Sequence, residues 1–125
     1  MKTLIGAIAI CFLIVASSVF GAIFTDKKLS DFEEDISSAI PDAIESAEIA
    51  YAGAKIIEEE YASIKKYLFL FIHDDEVREI EEHVADIQSA AMTDELSDVI
   101  GAKNRLKLHI EQLRRLSKFS IEAIF

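Results

Sequence analysis

The 125-residue chain carries 23 acidic and 13 basic side chains, for a formal charge of −10, with one proline, four glycines, one cysteine and no tryptophan. That charge repels nucleic acid and anionic headgroups, so neither is an expected partner of the charged region. A lone cysteine excludes an intrachain disulfide, and the scarcity of proline and glycine favours long helices over sheets and turns.

From Leu4 to Phe24 the chain has no charged residue, and only Gly6, Cys11, Ser17, Ser18 and Gly21 interrupt the Leu, Ile, Ala, Val and Phe. About twenty helical residues at 1.5 Å each span the roughly 30 Å hydrocarbon core of a bilayer. The expected plan is a transmembrane anchor over residues 1–25 and an acidic helical domain over 26–125. A cleaved secretory signal is the alternative, with its apolar core ending near Val15 and small residues at Ala16 and Ser18. The run continues through Val19, Phe20, Ala22, Ile23 and Phe24, longer than such cores usually are, so an uncleaved anchor is expected. Ile10 before Cys11 is too bulky for a lipoprotein site. Lys2 with the α-amino group opposes Lys27 and Lys28 on the other flank, nearly a tie under the positive-inside rule. A short charged N-terminal tail before a long apolar run places the N-terminus inside and the domain outside the cytoplasm. Ala7/Cys11, Ser17/Gly21 and Ser18/Ala22 have the small-xxx-small spacing that lets membrane helices approach, although lipid-facing composition gives the same pairs.

Beyond the anchor, Leu29, Phe32, Ile36 and Ile40 form a one-sided stripe, on a helix continuous with the anchor or joined to it by a short bend. Pro41 ends it. Asp42 and Glu45 have the spacing of a capping box, which starts a second helix at Asp42 and carries it to about Ile72. Ile44, Ala47, Tyr51, Ala54, Ile57, Tyr61, Ile64, Leu68 and Phe71 are its expected inner face. Residues 67–72 are apolar all round, which predicts burial by more than one neighbour. Asp74 is the expected cap of a third helix running to about Ala91, with Val77, Ile80, Val84, Ile87 and Ala91 inward at 3-4-3-4 spacing. Thr93 is the expected cap of a fourth. That helix points Leu96, Val99 or Ile100, Leu106, Ile110 and Leu113 inward and ends near Ser117, with the apolar residues 119–125 folding back onto the bundle. The fold class is therefore all-α: a transmembrane helix followed by an antiparallel bundle of about four helices. No period near 34 residues marks a helical-repeat solenoid.

Residues 26–100 carry 21 acidic and six basic side chains, and residues 101–125 two and six. A basic last helix lying along acidic earlier ones is the simplest arrangement. Glu79, His83 and Asp86, at i, i+4 and i+7, share one helix face with Glu76 a turn earlier, and are the weak candidates for a metal site. A di-iron carboxylate site needs Glu-x-x-His, and position 80 is Ile80. The face from Glu76 to Asp86 also lies beside the apolar stripe, so a solvated acidic surface without metal is expected. Glu58, Glu59 and Glu60 form another solvated run, and His73 and His109 read as surface or helix-end residues. No nucleophile or acid–base motif stands out, and no catalytic residue or cofactor is expected.

The segments LFLFIHDDEVREIEEHVADIQ (68–88) and RLSKFSIEAIF (115–125) resemble an uncharacterised bacterial family of short proteins. Its members join an N-terminal membrane helix to an all-helical tail ending in a Ser-Leu-x-Asn-Ile-Phe-like motif. This chain has Ile121 for the usual Leu and Ala123 for the usual Asn, and lacks a second-helix tryptophan that Tyr61 or a neighbour replaces. The resemblance implies the same layout and an integral membrane protein as partner, and it supplies no catalytic residue.

Overall fold

The computed structural model describes residues 1–44, 46–93 and 95–124, with the side chains of Ser117 and of 119–124 left aside. Four helices, α1 (Lys2–Ala39), α2 (Ala47–Phe71), α3 (Asp74–Met92) and α4 (Leu96–Ile124), form an antiparallel bundle. Each of α1 and α3 packs against both α2 and α4, whereas α2 and α4 barely touch, so α1 and α3 occupy opposite corners. The described residues contain no strand.

α1 is one uninterrupted helix with two environments. Residues 1–18 are all exposed, including Phe12 at 72% and Leu13 at 63%. Packing begins around Val19, and the buried stripe runs through Gly21, Thr25, Leu29, Phe32 and Ile36 to Ile40. The second half of α1 is thus the first helix of the bundle, and no bend separates it from the apolar run. Ile40, ahead of Pro41, turns extended at φ −125°, ψ 98° while its N–H still donates to Ile36 O at 3.0 Å.

The start of α2 differs from expectation. Ser46 is the cap, extended at φ −144°, ψ 152°, and its Oγ accepts from the Ile49 N–H at 3.3 Å. Asp42 is not a cap because its carboxylate is drawn across the bundle to the Lys103 ammonium, 2.8 Å away; Glu45, the other half of the expected box, falls outside the described residues. Ala50, Gly53, Ala54, Ile57, Tyr61, Ile64 and Leu68 form the buried face. Tyr51 and Phe71, expected inward, are 59% and 44% exposed. The apolar turn at the end of α2 is not enclosed either: Phe69, Leu70 and Phe71 are 36%, 73% and 44% exposed. Only α1 and α3 flank α2, so a helix apolar on every side has a face left over there.

The predicted stripe of α3, Val77, Ile80, Val84, Ile87 and Ala91, is buried throughout. Its cap is His73 rather than Asp74, with Nδ1 accepting from the Asp75 N–H at 3.3 Å. Asp74, Asp75 and Glu76 occupy the first turn, against the positive end of the helix dipole. Thr93 closes α3 instead of opening α4, its hydroxyl donating to Ala90 O at 2.9 Å. α4 starts where the Glu95 carbonyl accepts from the Asp98 and Val99 N–H groups, and continues past the expected stop at Ser117 to Ile124. Of the inward residues expected on α4, Val99, Leu106, Ile110 and Leu113 are buried, and Ala102, Lys103 and His109 join them. The expected packing of residues 119–125 concerns side chains outside those described.

Each Leu or Ile fully removed from water contributes about 1.5–3 kcal/mol, and Leu29, Ile36, Ile57, Leu68, Ile80, Ile87, Leu106 and Ile110 are all at most 1% exposed. Charge supplements the core as the sequence leads one to expect. Arg114 of α4 donates to Asp26 and Glu33 of α1, both at 3.0 Å. The Asp26 hydrogen bond, with that of Glu33, pushes the Arg114 pKa above its ordinary value against the opposing effect of burial.

Candidate functional site

Chemistry-bearing side chains meet on the α3–α4 seam. Glu79 and His83, one turn apart, project towards α4, where His109 lies on the inward side between Leu106 and Ile110. One candidate ligand atom from each of Glu79, His83 and His109 lies within 4.8 Å of the other two. The imidazole centroids are 5.5 Å apart at an interplanar angle of 52°. Carboxylate oxygens of Glu76 and Glu79 approach His109 Nε2 to 3.3 and 3.7 Å. Neither makes a hydrogen bond with it, and both His109 Nε2 and His83 Nδ1 are buried without a hydrogen-bond partner.

Two of the three sequence candidates, Glu79 and His83, thus come together, and the third does not. Asp86 lies further along α3, lining an open groove with Ser89, Gly101 and Arg105. His109 takes its place in the cluster. Instead of marking a surface or helix end, it is 8% exposed in the middle of α4. A signal was present: His109 stands three residues after Leu106 and four before Leu113, on the stripe itself.

Where α1 leaves the bundle, aromatic rings of α1 and α2 pack into a collar. The Phe24 ring meets those of Tyr67 and Phe71 at 5.6 and 5.7 Å and that of Phe20 at 6.1 Å. Gly21 lets Phe71 lie directly on α1, for a Cβ there would sit 2.7 Å from the ring. Lysines rim the collar: Lys28 over Phe24 and Tyr67, Lys66 over Tyr67, and Lys65 over Phe69, with nitrogen-to-centroid distances of 5.0–5.9 Å. Lys65 also pairs with Glu81 of α3 at 2.7 Å.

A cleft of about 270 Å³ between α2 and α3 is lined by Tyr51, Ala54, Lys55, Glu58, Gln88 and Met92. Its lining offers one ammonium, one carboxylate, one phenol and one carboxamide. Shifted proton affinities lie elsewhere. Asp42 is held below the usual carboxylate range by the Lys103 hydrogen bond and charge. Glu60 is raised by its hydrogen bond with Asp35 and by burial, and Glu95 by its hydrogen bond with Asp98. Burial, then the charge of Glu81, pushes the Tyr61 phenol up to about 12; its hydroxyl donates to the Val77 carbonyl at 3.4 Å. No protein-family model, curated protein or solved structure matches this chain.

Proposed function

We propose that the chain is a membrane-anchored, non-enzymatic interaction module, whose bundle is held at the extracytoplasmic surface of the cell membrane to engage another integral membrane protein. The observation that carries this reading is the division of α1. Its first half is long and apolar enough to cross a bilayer, with only 6% of the most apolar stretch buried, while its second half is a core helix of the bundle. An apolar face left uncovered by its own chain takes lipid or another membrane helix as its natural cover.

The collar supports the same placement. Aromatic rings flanked by lysines suit the boundary between hydrocarbon and water, and Phe69, Leu70 and Phe71 expose apolar surface at that level. α4 continues about 15 Å beyond Arg114, which is bridged to Asp26, and so descends towards the apolar half of α1.

One observation favours a second reading, a cleaved and secreted bundle: packing on α1 starts at Val19, directly after the small residues Ala16 and Ser18. The two readings separate in one experiment. Anchoring predicts a carbonate-resistant membrane pellet, an intact mass that includes residues 1–24, and Cys11 shielded from an impermeant maleimide until detergent is added. In a Cys11→Ser background, Ser89→Cys is then labelled on whole cells. A mass beginning near Val19, with the protein in the medium, overturns anchoring in favour of secretion. Labelling of Ser89→Cys only after lysis overturns the orientation.

A further inference from the structure

We infer that Glu76, Glu79, His83 and His109 form a binding site for a divalent transition-metal ion of the zinc class, which clasps α3 to α4. The site belongs to the bundle alone and stands independently of the membrane reading.

Buried polar atoms are ordinarily satisfied. His109 Nε2 and His83 Nδ1 are not, and they belong to neighbouring rings on two different helices. An imidazolium–carboxylate pair between His109 and Glu76 would answer for one ring only. A cation held between them uses lone pairs on both imidazoles and neutralises the two carboxylates, so the donor set carries the charge a divalent ion requires. Zinc–nitrogen and zinc–oxygen bonds of about 2.0–2.2 Å place tetrahedral donors about 3.3–3.6 Å apart. The approaches of Glu76 and Glu79 to His109 Nε2, 3.3 and 3.7 Å, are already close to that spacing. Among Glu79, His83 and His109 no donor lies more than 4.8 Å from another, a gap that rotation of the half-exposed Glu79 side chain can close. Exposure is distributed to suit: the Glu76 and Glu79 side chains are 40% and 51% exposed, with room to change rotamer, while His109 is enclosed by the core. Imidazole donors select zinc-like ions over magnesium and calcium, which prefer oxygen alone.

The test uses the full-length chain in detergent micelles, stripped with chelator and titrated with Zn²⁺ by calorimetry, with Co²⁺ absorption reporting the coordination geometry. The expected result is one Zn²⁺ per chain, a raised unfolding temperature and tetrahedral Co²⁺ bands. His83→Ala and Glu79→Gln should each weaken Zn²⁺ binding about tenfold or more, while His73→Ala, at the exposed α2–α3 turn, leaves it unchanged. Glu79→Gln retains the shape of a half-exposed side chain, so its effect is readable even if a change at buried His109 disturbs folding; circular dichroism of the metal-free variants checks that they are folded. Wild-type affinity equal to that of His83→Ala, equal loss on His73→Ala, or Mg²⁺ competing on even terms overturns the site.

Discussion

Gly53 sets the distance between α1 and α2, and adding one methyl group there tests the packing of the bundle end. A Cβ at Gly53 would meet the Ala39 carbonyl oxygen, the Ile40 side chain at 2.7 Å and the Ala39 carbonyl carbon at 3.0 Å. Optimal contacts between carbons are about 3.5–4.0 Å, so the helices must part by roughly 1 Å, and the main obstacle is backbone rather than a rotatable side chain. Overpacking of this kind costs about 1–3 kcal/mol, and alanine recovers roughly 1 kcal/mol of helix propensity. Gly53→Ala is therefore expected to destabilise by up to about 2 kcal/mol, a fall in Tm of up to roughly 15 °C for a domain of this size. Gly101, in the interior of α4, is the internal control. Its added Cβ meets nothing closer than Arg105 Nη1 at 3.5 Å, so Gly101→Ala keeps the propensity gain and raises Tm by about 3–8 °C. Thermal unfolding of both variants by far-ultraviolet circular dichroism in one detergent measures the contrast. A Gly53→Ala protein as stable as the Gly101→Ala protein would refute the close approach of α1 and α2.

Lys103 is buried with its ammonium on the exposed carboxylate of Asp42, so Lys103→Met should be neutral or stabilising, whereas Asp42→Asn lowers Tm by removing the counter-charge. Because Asp42 titrates below its ordinary value, the pair stabilises above the unfolded carboxylate pKa, and the difference between wild type and Asp42→Asn should vanish as pH falls through the folded value. Glu60 has the opposite sign. Its proton is held more tightly in the folded state, so stability falls as pH rises from the unfolded pKa through the raised folded one; Glu60→Gln should raise Tm at neutral pH and not in acid, as pH-dependent melts would report. Tyr61→Phe removes the long hydrogen bond to Val77 while keeping the ring against Phe32 at 6.4 Å, and should cost about 0.5–1 kcal/mol in a denaturant titration.

The helices were legible wherever burial alone decided them. Val77, Ile80, Val84, Ile87 and Ala91 are inward because a 3-4 spacing has one apolar face, whatever covers it. Helix ends were less legible because several residues near each end are chemically able to cap it, and distant partners choose among them. Asp42 is as good a cap as Ser46, but Lys103, 61 residues away, takes its carboxylate. Thr93 could open α4 or close α3, and its hydroxyl went backwards to Ala90. The histidine cluster was half visible for the same reason. Glu79 and His83 share a face by helical geometry, but only the pairing of α3 with α4 decides that His109 and not Asp86 stands beside them. The exposed end of α2 shows the converse, for an apolar perimeter in sequence does not say whether its cover is protein.

The undivided length of α1 has a mechanical consequence. With its first half in a bilayer, as proposed, no hinge isolates the bundle from the membrane, and the collar on Gly21 and Phe24 stiffens the one place where a joint would form. The segment from Thr25 to Ala39 is then a lever arm of about 21 Å. A change of about 10° in anchor tilt, of the kind that a thinner bilayer or a neighbouring helix imposes, swings its far end by roughly 4 Å. The Tyr51–Met92 cleft, at that far end, would move with it, so the bundle converts the angle of a buried rod into displacement of a water-exposed surface.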